Sequence, residues 1–143
     1  MSDPAERRAR RERVVYEHME SENVHEWSRT MATFSHPRYE LVPRGQVHDG
    51  ADDVMRYWID GRAEFPDQRN ELISLHHTDT AIITEFWLRG THTGGARPTG
   101  RRFKCRMCAI FEFDDDDLMV CERVYYDQAT ITRQLKGLAE ADD

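Results

Sequence analysis

The chain has 143 residues, of which 38% are hydrophobic and 33% charged, and its formal net charge is −7 at pH 7. That length suits one domain with a single core, and the composition is typical of a globular protein with a charged surface. With 27 acidic against 20 basic residues, the chain would repel a phosphate backbone, so we expect no nucleic-acid partner. No apolar run could cross a bilayer, and the first ten residues lack the apolar stretch of a signal peptide. These features predict a cytoplasmic protein without a membrane partner.

The first half of the chain predicts three helices and a strand. Residues 3–6 read Asp-Pro-Ala-Glu, a capping box with proline at the first helical position. A second cap at Asn23, with Glu26 three residues later, predicts a short helix that continues to Met31. A strand is predicted over residues 39–42. A third helix follows Asp49-Gly50, and its apolar face is formed by Val54, Tyr57, Trp58, Gly61 and Phe65.

The second half predicts four strands, over residues 70–76, 81–93, 103–113 and 119–126, and a last helix over 128–138. Helices first, then neighbouring strands, then one helix indicate an α+β domain with an antiparallel sheet covered on one face. Long strands in a twisted sheet curl, and a curled sheet under helices leaves a concavity for a small ligand. We expect one domain over residues 1–143, with the ends, 1–11 and 139–143, frayed.

Six short motifs, in this order, connect the chain to a known family. They are HPRY (36–39), QVHDG (46–50), RAEFPD (62–67), GTHTG (90–94), PTGRRF (98–103) and DQATITRQL (127–135). Over residues 12–138 the chain resembles the SnoaL-like polyketide cyclases of the nuclear-transport-factor-2-like superfamily. The resemblance implies a cone-shaped fold, with three to four helices on a strongly curved, mostly antiparallel sheet. It also implies a cofactor-free pocket and a homodimer formed through the outer sheet face.

The cyclases of this family remove a proton next to a carbonyl, after which an intramolecular aldol reaction closes a ring. In the best-studied branch a Gln-x-His pair on one strand and an Asp on the next carry this chemistry. The resemblance places those positions at Met107, Ala109 and Val124, none of which can move a proton. This chain therefore cannot use that set of residues. The residues that we expect to bind the substrate are Tyr57, Trp58, Phe103, Met107, Ala109, Val124 and Tyr126.

Three other residues are candidates for proton transfer. Glu122 shares a strand face with Val124, where desolvation would raise the pKa of a carboxyl, although a salt bridge at the sheet rim would also explain it. His48 matches a histidine of the cyclases, and an imidazole can both accept and donate a proton, but a histidine before a helix can also be a local hydrogen-bonding residue. Asp127 matches an acidic position near the family's last helix, and helix capping also explains it.

The sequence predicts neither a metal nor another cofactor. Cys105 and Cys108 form a C-x-x-C motif, but residues three apart on a strand face opposite sides of the sheet. The adjacent His76 and His77 likewise face opposite ways, and no third ligand has a suitable spacing.

Three functions are compatible with these features. The first is a cofactor-free acid–base enzyme that acts on a small hydrophobic carbonyl compound, as a cyclase, an isomerase or a lyase of the dehydratase type. The second is a protein that binds such a molecule without chemistry, which the three apolar replacements favour. The third is a protein-interaction module that uses the sheet face. The charges on the outer face of residues 103–113 suit a modest homodimer better than a large apolar hetero-interface. The candidate histidine and carboxylate favour the enzyme.

Overall fold

In the computed structural model, which describes residues 3–141, the chain forms four helices on a six-stranded sheet. The helices are α1 (Pro4–Asn23), α2 (Trp27–Met31), α3 (Ala51–Glu64) and α4 (Gln128–Leu135), with one 3₁₀ turn at Val42–Arg44. The strands are β1 (Arg38–Leu41), β2 (Gln46–Asp49), β3 (Arg69–His77), β4 (Ala81–Thr91), β5 (Arg102–Phe113) and β6 (Met119–Tyr125). Among these described residues, no helix combines the length and the apolar character needed to span a membrane.

The sheet is open and mixed, with the strand order β2-β1-β6-β5-β4-β3. Among the strand pairs within residues 3–141, only that of β1 and β6 is parallel, and the other four are antiparallel. The predicted α+β class and the mostly antiparallel sheet under helices are therefore confirmed. Strand β2 was not predicted, because its four residues are exposed or only half-buried and carry no alternating apolar pattern.

Strand β5 alternates between the core and the outer face along its whole length. Its buried residues are Phe103, Cys105, Met107, Ala109, Phe111 and Phe113. The alternation in β6 breaks near Val120, where the register against β5 shifts. As a result Met119 is fully buried in the core, although simple alternation places it opposite Glu122 and Val124.

Several predicted element ends differ from the structure. Asp3 precedes α1 but makes no side-chain capping bond. Asn23 is the last residue of α1 and binds the backbone of Asn70 instead of capping α2. Residues 4–11, which we expected to fray, are helical, and Arg11 is buried. The last helix ends at Leu135, so Leu138 lies beyond it and is exposed. Residues 1, 2, 142 and 143 of the expected frayed ends lie outside the described part of the chain.

The first turns of α1 are anchored to the turn between β5 and β6. The Asp117 carboxylate, which is buried, accepts hydrogen bonds of 2.9 Å from both Arg10 and Arg11, and Arg7 lies 3.2 Å away. Arg11 is itself 4% exposed and also donates to the Asp79 carbonyl. This interaction holds the arginine-rich segment against the sheet, so these arginines do not form a free basic arm.

Replacing Asp117 by Ala should lower the free energy of unfolding by about 3 kcal/mol, because the buried Arg11 guanidinium would lose its counter-ion. Urea denaturation would measure the loss. Asp116→Ala is the matched control, since Asp116 is the exposed neighbour, and it should change the stability by less than about 0.5 kcal/mol. Equal effects of the two substitutions would show that the buried ion pair does not stabilise the fold.

Candidate functional site

A cavity of about 350 Å³ lies between the helices and the concave face of the sheet. Its apolar wall is formed mainly by Met19, Phe86, Phe103, Met107, Phe111 and Val124. The polar side chains that reach it include Glu22, Tyr39, Tyr57, Arg62 and Glu122. A mostly apolar wall with a few grouped polar side chains is typical of a site for a small organic molecule.

Six of the seven predicted substrate-binding residues line this cavity: Tyr57, Trp58, Phe103, Met107, Val124 and Tyr126. Ala109 is the exception. It lies on the same face of β5 but is fully buried in the core, so that its methyl group is not part of the cavity wall.

The three predicted proton-transfer residues have different surroundings. Glu122 lines the cavity and is only 7% exposed. His48 is not part of the wall, because it lies on β2, where its ring stacks on Tyr57 at 4.5 Å and donates to Asp53 at 3.3 Å. Asp127 is exposed and caps α4 through the Ala129 amide. Of the three candidates, the fold therefore brings only Glu122 to the cavity.

The partner of Glu122 is a histidine that the sequence did not indicate. His18 on α1 is fully buried, and its Nε2 lies 2.8 Å from Glu122 Oε1. Its Nδ1 lies 2.9 Å from the hydroxyl of Thr33, which itself donates to the Thr30 carbonyl at 2.6 Å. Because that hydroxyl has only one hydrogen, His18 Nδ1 must carry a proton and donate it to Thr33. The contact between Nε2 and Glu122 therefore has one proton, which is held by either the imidazole or the carboxyl.

A second carboxylate, that of Glu22, approaches the same imidazole. Glu22 Oε1 lies 3.0 Å from His18 Nε2 and accepts a hydrogen bond of 2.6 Å from the Tyr39 hydroxyl. The Tyr39 oxygen in turn accepts from the indole N–H of Trp58 at 3.0 Å. This chain of donors fixes Glu22 beside His18.

The surroundings raise the pKa of the Glu122 carboxyl and lower that of the Glu22 carboxyl. Burial raises the pKa of Glu122 above its usual value, and the hydrogen bond from His18 offsets only part of that effect. Burial also opposes ionisation of Glu22, but the His18 charge, helped by Arg62 and Tyr39, holds its pKa below the usual value. Burial disfavours the His18 cation too, yet the two carboxylates raise the pKa of His18 to about 10. The site thus combines an ion pair between His18 and Glu22 with a carboxyl, that of Glu122, whose pKa burial raises.

His18, Glu22 and Tyr39 were missed in the sequence analysis. A local signal did exist for the first two: they are four residues apart and follow Val15 and Met19 at helical spacing, so they interrupt the buried stripe of α1. No local signal links this stripe to Glu122, which lies 104 residues further along the chain.

His18, Glu22 and Glu122 could also hold a metal ion, since one donor atom from each lies within 4.8 Å of the others. Among the described residues, these donors already share protons with one another and with Tyr39 at 2.6–3.0 Å. A protonated His18 compensates one carboxylate, and Arg62 lies near enough to lower the pKa of both. The contacts therefore fit a proton-sharing cluster.

Comparison with other proteins places this site in a known fold. The sequence profile of the SnoaL-like polyketide cyclase family matches residues 10–135. No curated protein matches the chain. Among solved structures, AclR of Streptomyces galilaeus, a provisionally assigned hydroxylase, is 18% identical with a TM-score of 0.76, covering 94% of this chain and 86% of its own. IdmH of Streptomyces antibioticus, a provisionally assigned polyketide cyclase, is 21% identical with a TM-score of 0.75, covering 88% and 98%. An NTF2-like protein of Burkholderia thailandensis is 20% identical with a TM-score of 0.73, covering 86% and 95%. At these identities the structural likeness concerns the fold alone.

The raised pKa of His18 should make the stability of the fold depend on pH. Its pKa rises from 6.5 to about 10 on folding, so its contribution is complete below pH 6.5 and is lost as the pH rises through 10. The difference in unfolding free energy between the wild type and His18→Asn should therefore shrink from pH 6.5 to 10, as urea denaturation would measure. His76→Asn, an exposed site on β3, should have little effect throughout. A constant difference for His18→Asn would argue against a protonated imidazole.

Elemental analysis of the purified protein should give no stoichiometric zinc or iron, because shared protons already satisfy the three donors of the cluster. Addition of Co²⁺ should likewise produce no absorption bands of a bound ion. A stoichiometric ion that disappears in His18→Ala would show instead that the cluster is a metal site.

Proposed function

The chain belongs to the SnoaL-like polyketide cyclase family, and on that premise we propose that it is a cofactor-free acid–base enzyme of the cyclase or isomerase type. Its substrate would be a small apolar carbonyl compound. The observation that carries this proposal is the buried Glu122 carboxyl, which lines the cavity and contacts His18 at 2.8 Å. A desolvated carboxyl of raised pKa is a suitable general base near neutral pH.

In this mechanism Glu122 removes a proton from the carbon next to the substrate carbonyl. The C–H bond breaks, the proton moves to the carboxylate, and the electron pair forms an enolate. Oε1 of Glu122 is held by His18, whereas Oε2 makes no hydrogen bond within residues 3–141 and is available to the substrate. The enolate carbon can then attack a second carbonyl, which closes a ring, or the proton can return to another carbon, which isomerises the substrate.

Tyr57 is suited to donate to the substrate carbonyl. Its side chain lines the cavity, and its hydroxyl has no hydrogen-bond partner among the described residues. Burial raises the pKa of Tyr57 above its usual value, and so do the nearby carboxylates, so that the group stays a neutral donor. His48, stacked on the Tyr57 ring, would orient that ring instead of moving a proton.

A non-catalytic binding protein is the second candidate. It is favoured by the apolar side chains at Met107, Ala109 and Val124, where the family resemblance implies catalytic groups. The same cavity would then hold its ligand without chemistry, and the buried cluster would only provide polarity.

We also propose a cytoplasmic homodimer that forms through the outer sheet face. There a shallow depression is lined by Ile83, Cys108 and Tyr125, with Glu85 and Arg106 at its side. Tyr125 is 43% exposed, and such an aromatic residue surrounded by charged groups suits a modest interface.

Solvent deuterium exchange tests the acid–base proposal. With 2-tetralone, an apolar ketone with acidic α-protons, the wild type should catalyse exchange, and Glu122→Gln should lower the rate by a factor on the order of 100 or more. NMR would measure both rates. Asp127→Asn is the control, and it should stay close to the wild type, since Asn still caps a helix. A wild type that binds ketones but never exchanges their protons would favour the binding protein.

A further inference from the structure

One arginine in the cavity wall has no polar partner in the described part of the chain. Arg62, on the last turn of α3, lines the cavity together with Glu22 and Glu122. Its Nε–H is buried and has no acceptor, and its guanidinium makes neither a hydrogen bond nor an ion pair with any residue from 3 to 141. Buried donors are nearly always satisfied, so this unpaired N–H indicates an acceptor that the protein itself does not supply.

The Trp27 ring holds this guanidinium by a cation–π contact. The Arg62 Cζ lies 5.4 Å from the centre of the Trp27 ring, in cation–π geometry. Trp27 in turn stacks on Trp58 at 5.4 Å and on His25 at 5.3 Å. This cation–π contact uses none of the N–H donors, which point outward in the plane of the group and stay available to an acceptor.

The position of Arg62 relates it to the proton-transfer cluster. Its positive charge favours the ionised forms of Glu22 and Glu122 and so acts to lower the pKa of each, although burial still keeps the pKa of Glu122 above its usual value. Neither carboxylate is within ion-pair distance of Arg62. Glu64, exposed at the cavity wall, adds a further negative charge nearby. Arg62 is therefore a positively charged side chain with acidic neighbours, and none of those described forms an ion pair with it. Because Arg62 and Glu122 line the same cavity, a ligand oxygen bound to Arg62 would share that cavity with the Glu122 carboxyl.

We propose that Arg62 anchors the ligand by binding an oxygen atom with negative charge, either a carboxylate of the ligand or an ionised enol. This inference rests on the proposed function in one respect: when the bound molecule is the substrate, its carbonyl oxygen is the atom that becomes negative as the enolate forms. When Glu122 takes the proton from carbon, one negative charge leaves the carboxylate and reaches the enolate oxygen beside Arg62. The total charge of the site is unchanged, and no further reactant is needed.

Two pairs of probes test this assignment and separate the two sources of charge. The first pair is 2-naphthoate and the neutral 2-naphthamide. The second is 2-hydroxy-1,4-naphthoquinone, an ionised enol at neutral pH, and its neutral methyl ether. Calorimetry should show that the wild type binds the charged member of at least one pair on the order of tenfold more tightly, since hydrogen bonds to charged groups are the strong ones. The pair with the larger ratio identifies the group that Arg62 recognises.

Arg62→Gln should reduce that ratio to about one, while Arg62→Lys, which keeps the charge but loses the planar fork, should retain part of it. Arg56→Gln is the matched control, because Arg56 is exposed on the same helix and does not line the cavity; it should keep the full ratio. Circular dichroism would confirm that each variant is folded. A wild-type ratio near one for both pairs, or an unchanged ratio in Arg62→Gln, would overturn the proposal.

Glu122→Gln separates this inference from the proposed function. Binding at equilibrium requires no proton transfer, so Glu122→Gln should retain the preference for the charged probe even where deuterium exchange is lost. If the wild type shows the charge preference but no exchange, the enzymatic proposal fails and the role of Arg62 stands. If exchange occurs without the preference, Arg62 is not the anchor.

Discussion

The contact between His18 and Glu122 joins the long first helix to the last strand, and the rest of the site depends on it. Both groups are buried, and a buried charge is tolerated only when it is paired and hydrogen-bonded. Thr33 after α2, Tyr39 on β1 and Trp58 on α3 supply the remaining hydrogen bonds, directly or through Glu22. Helices and strands from both halves of the chain are thus held by one polar cluster inside an apolar core.

Under the proposed function, this cluster supplies the acid–base group that the apolar residues at the positions expected from the family resemblance cannot provide. Val124 occupies a position at which that resemblance implies an acid, and Glu122 lies two residues earlier on the same face of β6. Residues two apart on a strand point the same way, so the Glu122 carboxyl also reaches the cavity, where it lies beside His18 of α1. The apolar Met107 and Val124 then leave wall surface for a hydrophobic ligand.

Two different kinds of contact hold the charged side chains of the cavity in position. The carboxylates are held in position by hydrogen bonds, whereas Arg62 is held by a cation–π contact with Trp27, which leaves its N–H donors unpaired within the described residues. Such a division suits a site that must move a proton at one end of a carbonyl group and stabilise charge at the other. It would also serve a protein that only binds an acidic aromatic molecule.

The sequence by itself determined the α+β class, the residues of β5 that face the core, and the cap at Asp127, because each depends on local periodicity or on residues adjacent in the chain. Together with the family resemblance, it also indicated six of the predicted substrate-binding residues that line the cavity. It also placed Glu122 on the concave face. Only the tertiary structure decided that His18 and Glu22 meet Glu122, that Met119 turns inward at a register shift, and that His48 lies outside the wall. Contacts across about a hundred residues, and shifts of strand register, depend on how whole elements pack, and no local pattern encodes them.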